Sequence, residues 1–388
     1  MNQTLEQYAQ ALEERVAQDT LRQLRPSRTL ANGLLEISGK PLVNFASNDY
    51  LGLSQHPTLV ARSQEFAARY GVGSGASRLL SGNLAVFDEI EAKLARLKGS
   101  EAALILPSGF QANSSVIPSI LTDKSLAAAD RLIHRSMIEG ILLSGTRWFR
   151  YKHNDFADLE QKLEKQDGSL KSRWLFTESV FSMDGDQCRL DNLLLQTSSR
   201  GLALYIDEAH ATGVFGKDGM GMTAGLNFTG ITMGTFGKGL GSFGSYICCS
   251  AMMREYLVNF CPGLIYSTAL PPPVLGAIDA ALDLVPSLNE ERQRLQHNSE
   301  YLRVELGKMG YDTGASSTQI VPVLLGSAIS ALRLSAFLEE AGFYIPAIRP
   351  PTVAEGSARL RLSLTSVHTK VQLDDLLKAL RSWHEKKN

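Results

Sequence analysis

The sequence predicts an α/β chain: a mainly parallel sheet with helices on both faces, followed by a small C-terminal α+β domain. Three observations predict it. From about residue 84 to 250, short, near-continuous apolar runs alternate with helical patterns, as strands buried on both faces do. Polar groups stand at the ends of those runs, where open α/β sheets collect their active residues. Beyond residue 308 the pattern turns to strand, helix, strand, strand, helix.

The 388 residues exceed one typical domain, and three segments suggest themselves: 1–46 as a helix and hairpin, 47–285 as the large domain, and 286–388 as the C-terminal α+β domain. A net charge of -1 gives no reason to expect nucleic acid or an anionic membrane surface as partner. No apolar run approaches the ~18 residues of a membrane span. Met1-Asn-Gln-Thr-Leu-Glu-Gln has neither the basic start nor the apolar core of an export signal. Cys188, Cys248, Cys249 and Cys261 match no zinc or CxxC spacing, so reduced thiols, no metal and a cytoplasmic setting are expected.

Leu5, Tyr8, Leu12, Val16 and Leu24 recur at helical spacing and predict an amphipathic helix over 4–24, stopped by Pro26, with Arg22 and Arg25 opposing its dipole. Gly33–Ile37 and Pro41–Phe45 flank Ser38-Gly-Lys40 as a hairpin does. Ser47-Asn-Asp-Tyr-Leu-Gly-Leu53 is a loop without period, and 71–82 is a glycine-dense loop carrying Arg78. A helix from Phe87 to Lys98 precedes the strand Ala102–Leu106, after which Pro107-Ser-Gly-Phe110 opens another helix. Further strands are expected at 126–129, 148–151, 174–177, 202–206 and 244–249, then one helical stretch from Val274 to about Leu306. Alternation in Arg359-Leu-Arg-Leu-Ser363 puts Arg359 and Arg361 on one strand face.

The chemistry gathers at the strand ends. Leu202–Ile206 runs into Asp207-Glu-Ala-His210, a carboxylate that burial would oblige to find a partner. Lys238 follows in Thr235-Phe-Gly-Lys-Gly, between two apolar runs, where a desolvated amine can become a nucleophile. Thr177-Glu-Ser-Val-Phe-Ser182 offers Ser182, and Leu132-Ile-His-Arg-Ser136 offers His134. Gly109 and Phe110, at a helix start behind a strand, offer backbone N–H groups to an anion. Alone, Asp207 also reads as a helix cap and Lys238 as a solvated turn lysine. Together they match the needs of pyridoxal 5'-phosphate: an amine for its aldehyde, a carboxylate for its ring nitrogen, helix-start amides and the Thr235 hydroxyl for its phosphate, and a flat imidazole for its ring.

Four motifs, Ser47–Leu53, Thr177–Asp186, Asp207–Gly213 and Thr235–Lys238, resemble those of the pyridoxal-phosphate-dependent α-oxoamine synthases of fold-type I, whose large-domain sheet is of the seven-stranded type. The resemblance runs from about residue 12 to near 380. It implies Lys238 as the Schiff-base lysine, Asp207 on the pyridine nitrogen, His134 on the ring face, and Ser182 and His210 about the phenolic oxygen. It implies Gly109, Phe110 and Thr235 as further cofactor contacts. Arg22 and Thr352 match substrate-contacting positions, Arg361 the position that holds the amino-acid carboxylate, and Asn48 a neighbouring one. Within the family, Ala347-Ile-Arg-Pro-Pro-Thr-Val353 is most like the branch that condenses L-alanine with a pimeloyl thioester, on acyl carrier protein or coenzyme A. Ala354 departs from the usual proline of that branch. A homodimer with shared sites is implied, the 266–268 stretch reaching the partner's cofactor. The residues leave open glycine with acetyl-, succinyl- or palmitoyl-CoA as substrates, as well as an aminotransferase.

Overall fold

The computed structural model describes residues 3–166, 170 and 172–387. The chain divides into two compact units, one of residues 48–182 with 186–294, the other of 1–47, 183–185 and 295–388. The N-terminal segment thus groups with the C-terminal region.

The first unit is built on a seven-stranded sheet in the order Ala102–Leu106, Ser245–Cys249, Gly230–Thr235, Ala203–Asp207, Ser172–Glu178, Ser125–Asp130 and Arg147–Tyr151. All neighbours are parallel except Ser245–Cys249, which runs against both of its own. Successive residues feed opposite faces: Ala103 and Ile105 join one apolar cluster with the helices Pro57–Tyr70, Ala85–Lys98 and Pro272–Leu284, while Leu104 and Leu106 join another with Gly109–Ile120 and Arg135–Ser144. Burial on both faces is why these strands read as unbroken apolar runs.

The second unit holds two smaller sheets. Ser27–Thr29, Leu34–Ile37 and Lys40–Asn44 form an antiparallel meander joined by Phe343–Tyr344, parallel to Lys40–Asn44. Ala358–Ser363 lies between Ile320–Gly326 and Ala347–Ile348, antiparallel to both. The region beyond 308 therefore has one short strand more than expected, divided between two sheets.

Two helices differ from expectation. The N-terminal one is Gln3–Ala17. Its chain turns at Asp19, which takes φ 54°, and the Thr20 and Leu21 N–H groups both end on the Arg15 carbonyl, closing the helix by a left-handed residue well before Pro26. Arg22 and Arg25 consequently lie beyond the helix, and Arg25 makes a two-pronged ion pair with Glu339 at 2.7 Å. The stretch from Val274 breaks at Leu284, where Val285–Ser287 forms a 3-10 turn before Asn289–Lys308 resumes. Pro286 has no N–H for a continuing helix. Arg292 holds the break by donating to the Val285 carbonyl at 2.7 Å.

Candidate active site

The parallel strands Ser125–Asp130, Ser172–Glu178, Ala203–Asp207 and Gly230–Thr235 finish in Asp130, Glu178, Asp207 and Thr235, so one edge of the sheet is a row of polar side chains. The reversed strand begins at the same edge, Ser245 pairing with both Leu106 and Thr235. That register brings the helix start after Leu106 and the turn after Thr235 to the same side.

Asp207 is 4% exposed, and hydrogen bonds replace its lost water. One oxygen receives the side-chain N–H of Asn113 at 2.9 Å, the other the backbone N–H of Ala209 at 2.8 Å. Asn113 stands one turn into the helix Gly109–Ile120. Its second amide hydrogen goes to Ser136 Oγ at 3.0 Å, and its carbonyl accepts the Tyr205 hydroxyl at 2.8 Å. Ser136 Oγ in turn lies 2.7 Å from Nδ1 of His134, the N-cap of Arg135–Ser144. Nδ1 also accepts the Ser136 backbone N–H at 3.3 Å, so it is the unprotonated nitrogen and Nε2 carries the hydrogen of the neutral ring. Burial holds the His134 imidazole below its usual basicity; Asp207 works against that and Lys238 with it.

Lys238 lies in the turn 236–244, half-buried, its Nζ 2.8 Å from His210 Nε2. His210 Nδ1 is 2.5 Å from the hydroxyl of Tyr50, a fully buried residue whose hydroxyl also donates to Asn48 Oδ1 at 3.1 Å. Thr235 Oγ donates to the Gly244 carbonyl at 2.8 Å and accepts the Gly237 N–H at 3.1 Å, closing the neck of the lysine turn.

Ser182 is buried, and its N–H donates to Glu178 Oε2 at 3.2 Å. The Glu178 carboxyl is pushed far above the usual range by burial and then by the Asp207 charge, with Lys238 opposing; its Oε1 meets no hydrogen-bond partner among the described residues. At the start of Gly109–Ile120, Ser108 Oγ accepts the Gln111 N–H at 3.2 Å, while the Gly109 and Phe110 N–H groups precede any intrahelical acceptor and point out along the helix dipole.

Eight expected residues, Gly109, Phe110, His134, Ser182, Asp207, His210, Thr235 and Lys238, thus belong to one edge of one unit, with Asn48 joined to it through Tyr50. The other three belong to the second unit. There Arg22 donates to the Thr352 hydroxyl at 3.0 Å, and Arg361, 7% exposed, donates to Ser363 Oγ at 2.5 Å. Arg359, on the same strand face as Arg361, is committed to Asp184 at 2.6 Å. Sequence reading passed over Tyr50, Asn113, Ser136 and Glu178. Tyr50 and Glu178 lie inside motifs it had singled out, and Asn113 follows Gly109 by one helical turn, the spacing that shares a face. A cavity of about 1290 Å³ opens among the amino ends of the parallel strands, near Trp174, Leu202 and Gly230, and contains none of these groups.

The aminotransferase class I and II family matches residues 40–380. The chain belongs to that family. A Desulfosudis oleivorans protein, provisionally named an 8-amino-7-oxononanoate synthase, is 51% identical over 96% of this chain and 97% of its own. Among solved structures, the 8-amino-7-oxononanoate synthase of Francisella tularensis is 30% identical, with a TM-score of 0.76 over 89% of this chain and 98% of that one. The serine palmitoyltransferase of Sphingomonas wittichii superposes with a TM-score of 0.90 at 26% identity, covering 98% and 97%. The fold is accordingly fold-type I, and the chain is an enzyme whose cofactor is pyridoxal 5'-phosphate. The donor set fits that cofactor: an amine, a buried carboxylate held ready by two N–H groups, an imidazole, and helix-start amides at one sheet edge.

Proposed function

We propose that the chain condenses L-alanine with a pimeloyl thioester, releasing carbon dioxide and the free carrier thiol and forming 8-amino-7-oxononanoate, as biotin biosynthesis requires. The observation that carries the chemistry is the Lys238 amine 2.8 Å from His210 at the edge where Asp207 ends its strand. The choice of substrates draws support from the 51% identity over nearly the whole chain to a relative bearing that name.

Pyridoxal 5'-phosphate supplies an electron sink for the charge that develops at the α-carbon of the amino acid. Lys238 would hold the cofactor aldehyde, and its free amine would take the α-proton of the amino acid. Asp207, fixed by Asn113 and Ala209, keeps the proton on the pyridine nitrogen. His134 would pack against the cofactor ring, and its Nε2–H would donate to the thioester carbonyl as that oxygen gains charge. Gly109 and Phe110 N–H groups bind the phosphate, with Thr235 beside them. Ser182 and His210 bond about the phenolic oxygen, Tyr50 setting the orientation of His210. Arg361 is assigned to the alanine carboxylate, Arg22 and Thr352 to the acyl donor, and Asn48 to substrate binding. Acyl carrier protein or coenzyme A presents the pimeloyl group. The working form is a homodimer in the cytoplasm, residues 266–268 reaching the partner's cofactor.

Incubation with L-alanine and pimeloyl thioester tests the reading: stoichiometric carbon dioxide and free thiol are expected. Turnover with glycine and acetyl- or succinyl-CoA but none with these two would overturn it.

A further inference from the structure

His153 is not among the residues assigned to the cofactor, yet it bonds to both turns that lead to two of them. It lies just past the strand Arg147–Tyr151, its side chain 24% exposed. Its Nδ1 is 3.0 Å from Asp130 Oδ1 and its Nε2 is 2.7 Å from Asp186 Oδ2. Both carboxylates already accept N–H donors. Asp130 takes the backbone N–H groups of Leu132 at 2.8 Å and Asn154 at 2.9 Å, and Asp186 takes the side-chain amide of Asn154 at 3.0 Å. A ring facing an ionised acceptor at each nitrogen satisfies both only by donating twice, and only the imidazolium can do that. Phe181 packs edge-on to the ring, with centroids 4.3 Å apart, and shields it. Asp130 and Asp186 are the charged groups that face the ring; burial lowers its basicity, but the pair outweighs burial and raises it to about 10.

Each end of this bridge fixes a site turn. Asp130 ends its strand and, through the Leu132 N–H, shapes the turn into His134. Asp186 accepts the Phe181 N–H on its carbonyl at 3.0 Å, and the Cys188 N–H meets the Ser179 carbonyl at 3.0 Å, so Asp186 holds the return of the loop carrying Ser182. Two turns from different strand ends are therefore joined through one imidazole.

We propose that His153 is a positioning residue: a permanent imidazolium that locks the His134 and Ser182 turns together and so sets where the cofactor ring is held. The proposal rests on the cofactor roles given above to His134 and Ser182.

Three measurements on the holoenzyme test it. Nuclear magnetic resonance of isotope-labelled histidine should show His153 protonated on both nitrogens at pH 8; a neutral ring at that pH overturns the proposal whatever the roles of His134 and Ser182. His153→Gln, which is uncharged and carries both N–H donors on one nitrogen rather than at opposite ends of a ring, should weaken pyridoxal 5'-phosphate binding roughly tenfold or more and alter its visible circular dichroism. Adding Asp186→Asn should recover much of the loss, because the unpaired charge is gone. Unchanged affinity and dichroism in His153→Gln overturn the positioning role, provided that His134→Ala and Ser182→Ala do change them. If those two variants leave the cofactor signal untouched, it is the assignment of His134 and Ser182 that falls. Should His153→Gln fail to fold, Asp186→Asn alone serves: loss of cofactor dichroism on raising pH should begin at least a unit lower than in the unaltered enzyme, and no difference overturns the proposal.

Discussion

Asn113 donates a hydrogen to Asp207 at 2.9 Å from the middle of a helix whose first residues lie one turn away. The same amide binds Ser136 and Tyr205, so one side chain joins the carboxylate to the partner of His134. Asn113→Ala leaves three buried groups short of a bond and should destabilise the protein by about 2 kcal/mol, with weaker cofactor binding. Asn113→Asp should be worse, since it sets a second carboxylate against Asp207. Thermal denaturation and cofactor titration read both effects; an unaltered Asn113→Ala would show that Asp207 needs no such support.

Lys238→Ala should lower turnover by about 10³-fold or more, the scale of a lost acid–base group, and remove the long-wavelength absorbance that a Schiff base gives the cofactor. Retained turnover would contradict the role of Lys238, and single-turnover assays on the reconstituted variant measure it.

Glu178 has a carboxyl that burial and Asp207 raise far above the usual range. A group raised in the folded state contributes its stability fully below the unfolded carboxylate range, near pH 4, and loses it as pH rises toward the folded value. Glu178→Gln should match the unaltered protein at pH 5 or slightly below and exceed it in melting temperature at pH 8. A lower melting temperature at pH 8 would mean that Glu178 is ionised and bonded in the fold.

His368 works in the opposite direction. It is 1% exposed, stacks on Phe45 at 4.4 Å, and accepts the Thr365 N–H on Nδ1 at 2.9 Å. Burial lowers its basicity to about 4. The neutral ring supports the fold above pH 6.5, and that support fades as pH falls through 6.5 toward 4, by roughly 3 kcal/mol. His368→Leu lacks the titration. Its stability deficit against the unaltered protein should therefore narrow over that interval in urea unfolding; a constant deficit would rule the titration out.

Six strands of the core sheet were legible because burial on both faces writes apolar runs of one strand's length, and strands such as Ala102–Leu106 appear where those runs stand. That His134, Ser182, Asp207 and Lys238 gather at one sheet edge was legible because each stands at or just beyond the end of such a run. The N-terminal helix was overextended because Leu24 continues the spacing of Leu5 to Val16, while the turn at Asp19 depends on a backbone angle that periodicity does not record. Those four apolar residues are more than half exposed, so no packing within the described chain supports the period. Asn113 and His153 escaped notice for another reason. Their partners, Asp207 and Asp186, lie 94 and 33 residues away, and only the folded sheet brings them near.

The reversal of Ser245–Cys249 has a kinetic consequence. Because that strand returns directly beside Gly230–Thr235, the segment bearing Lys238 is pinned at Thr235 and Ser245, which sit opposite each other in the ladder. In the role proposed for Lys238, its amine would stay held at that site and would react as an intramolecular group. Well-oriented groups of that kind act as though present at ~10⁵ M or more, beyond any solution of a free amine. A small amine added to Lys238→Ala would therefore restore only a trace of the rate, even if it bound in the space the lysine leaves.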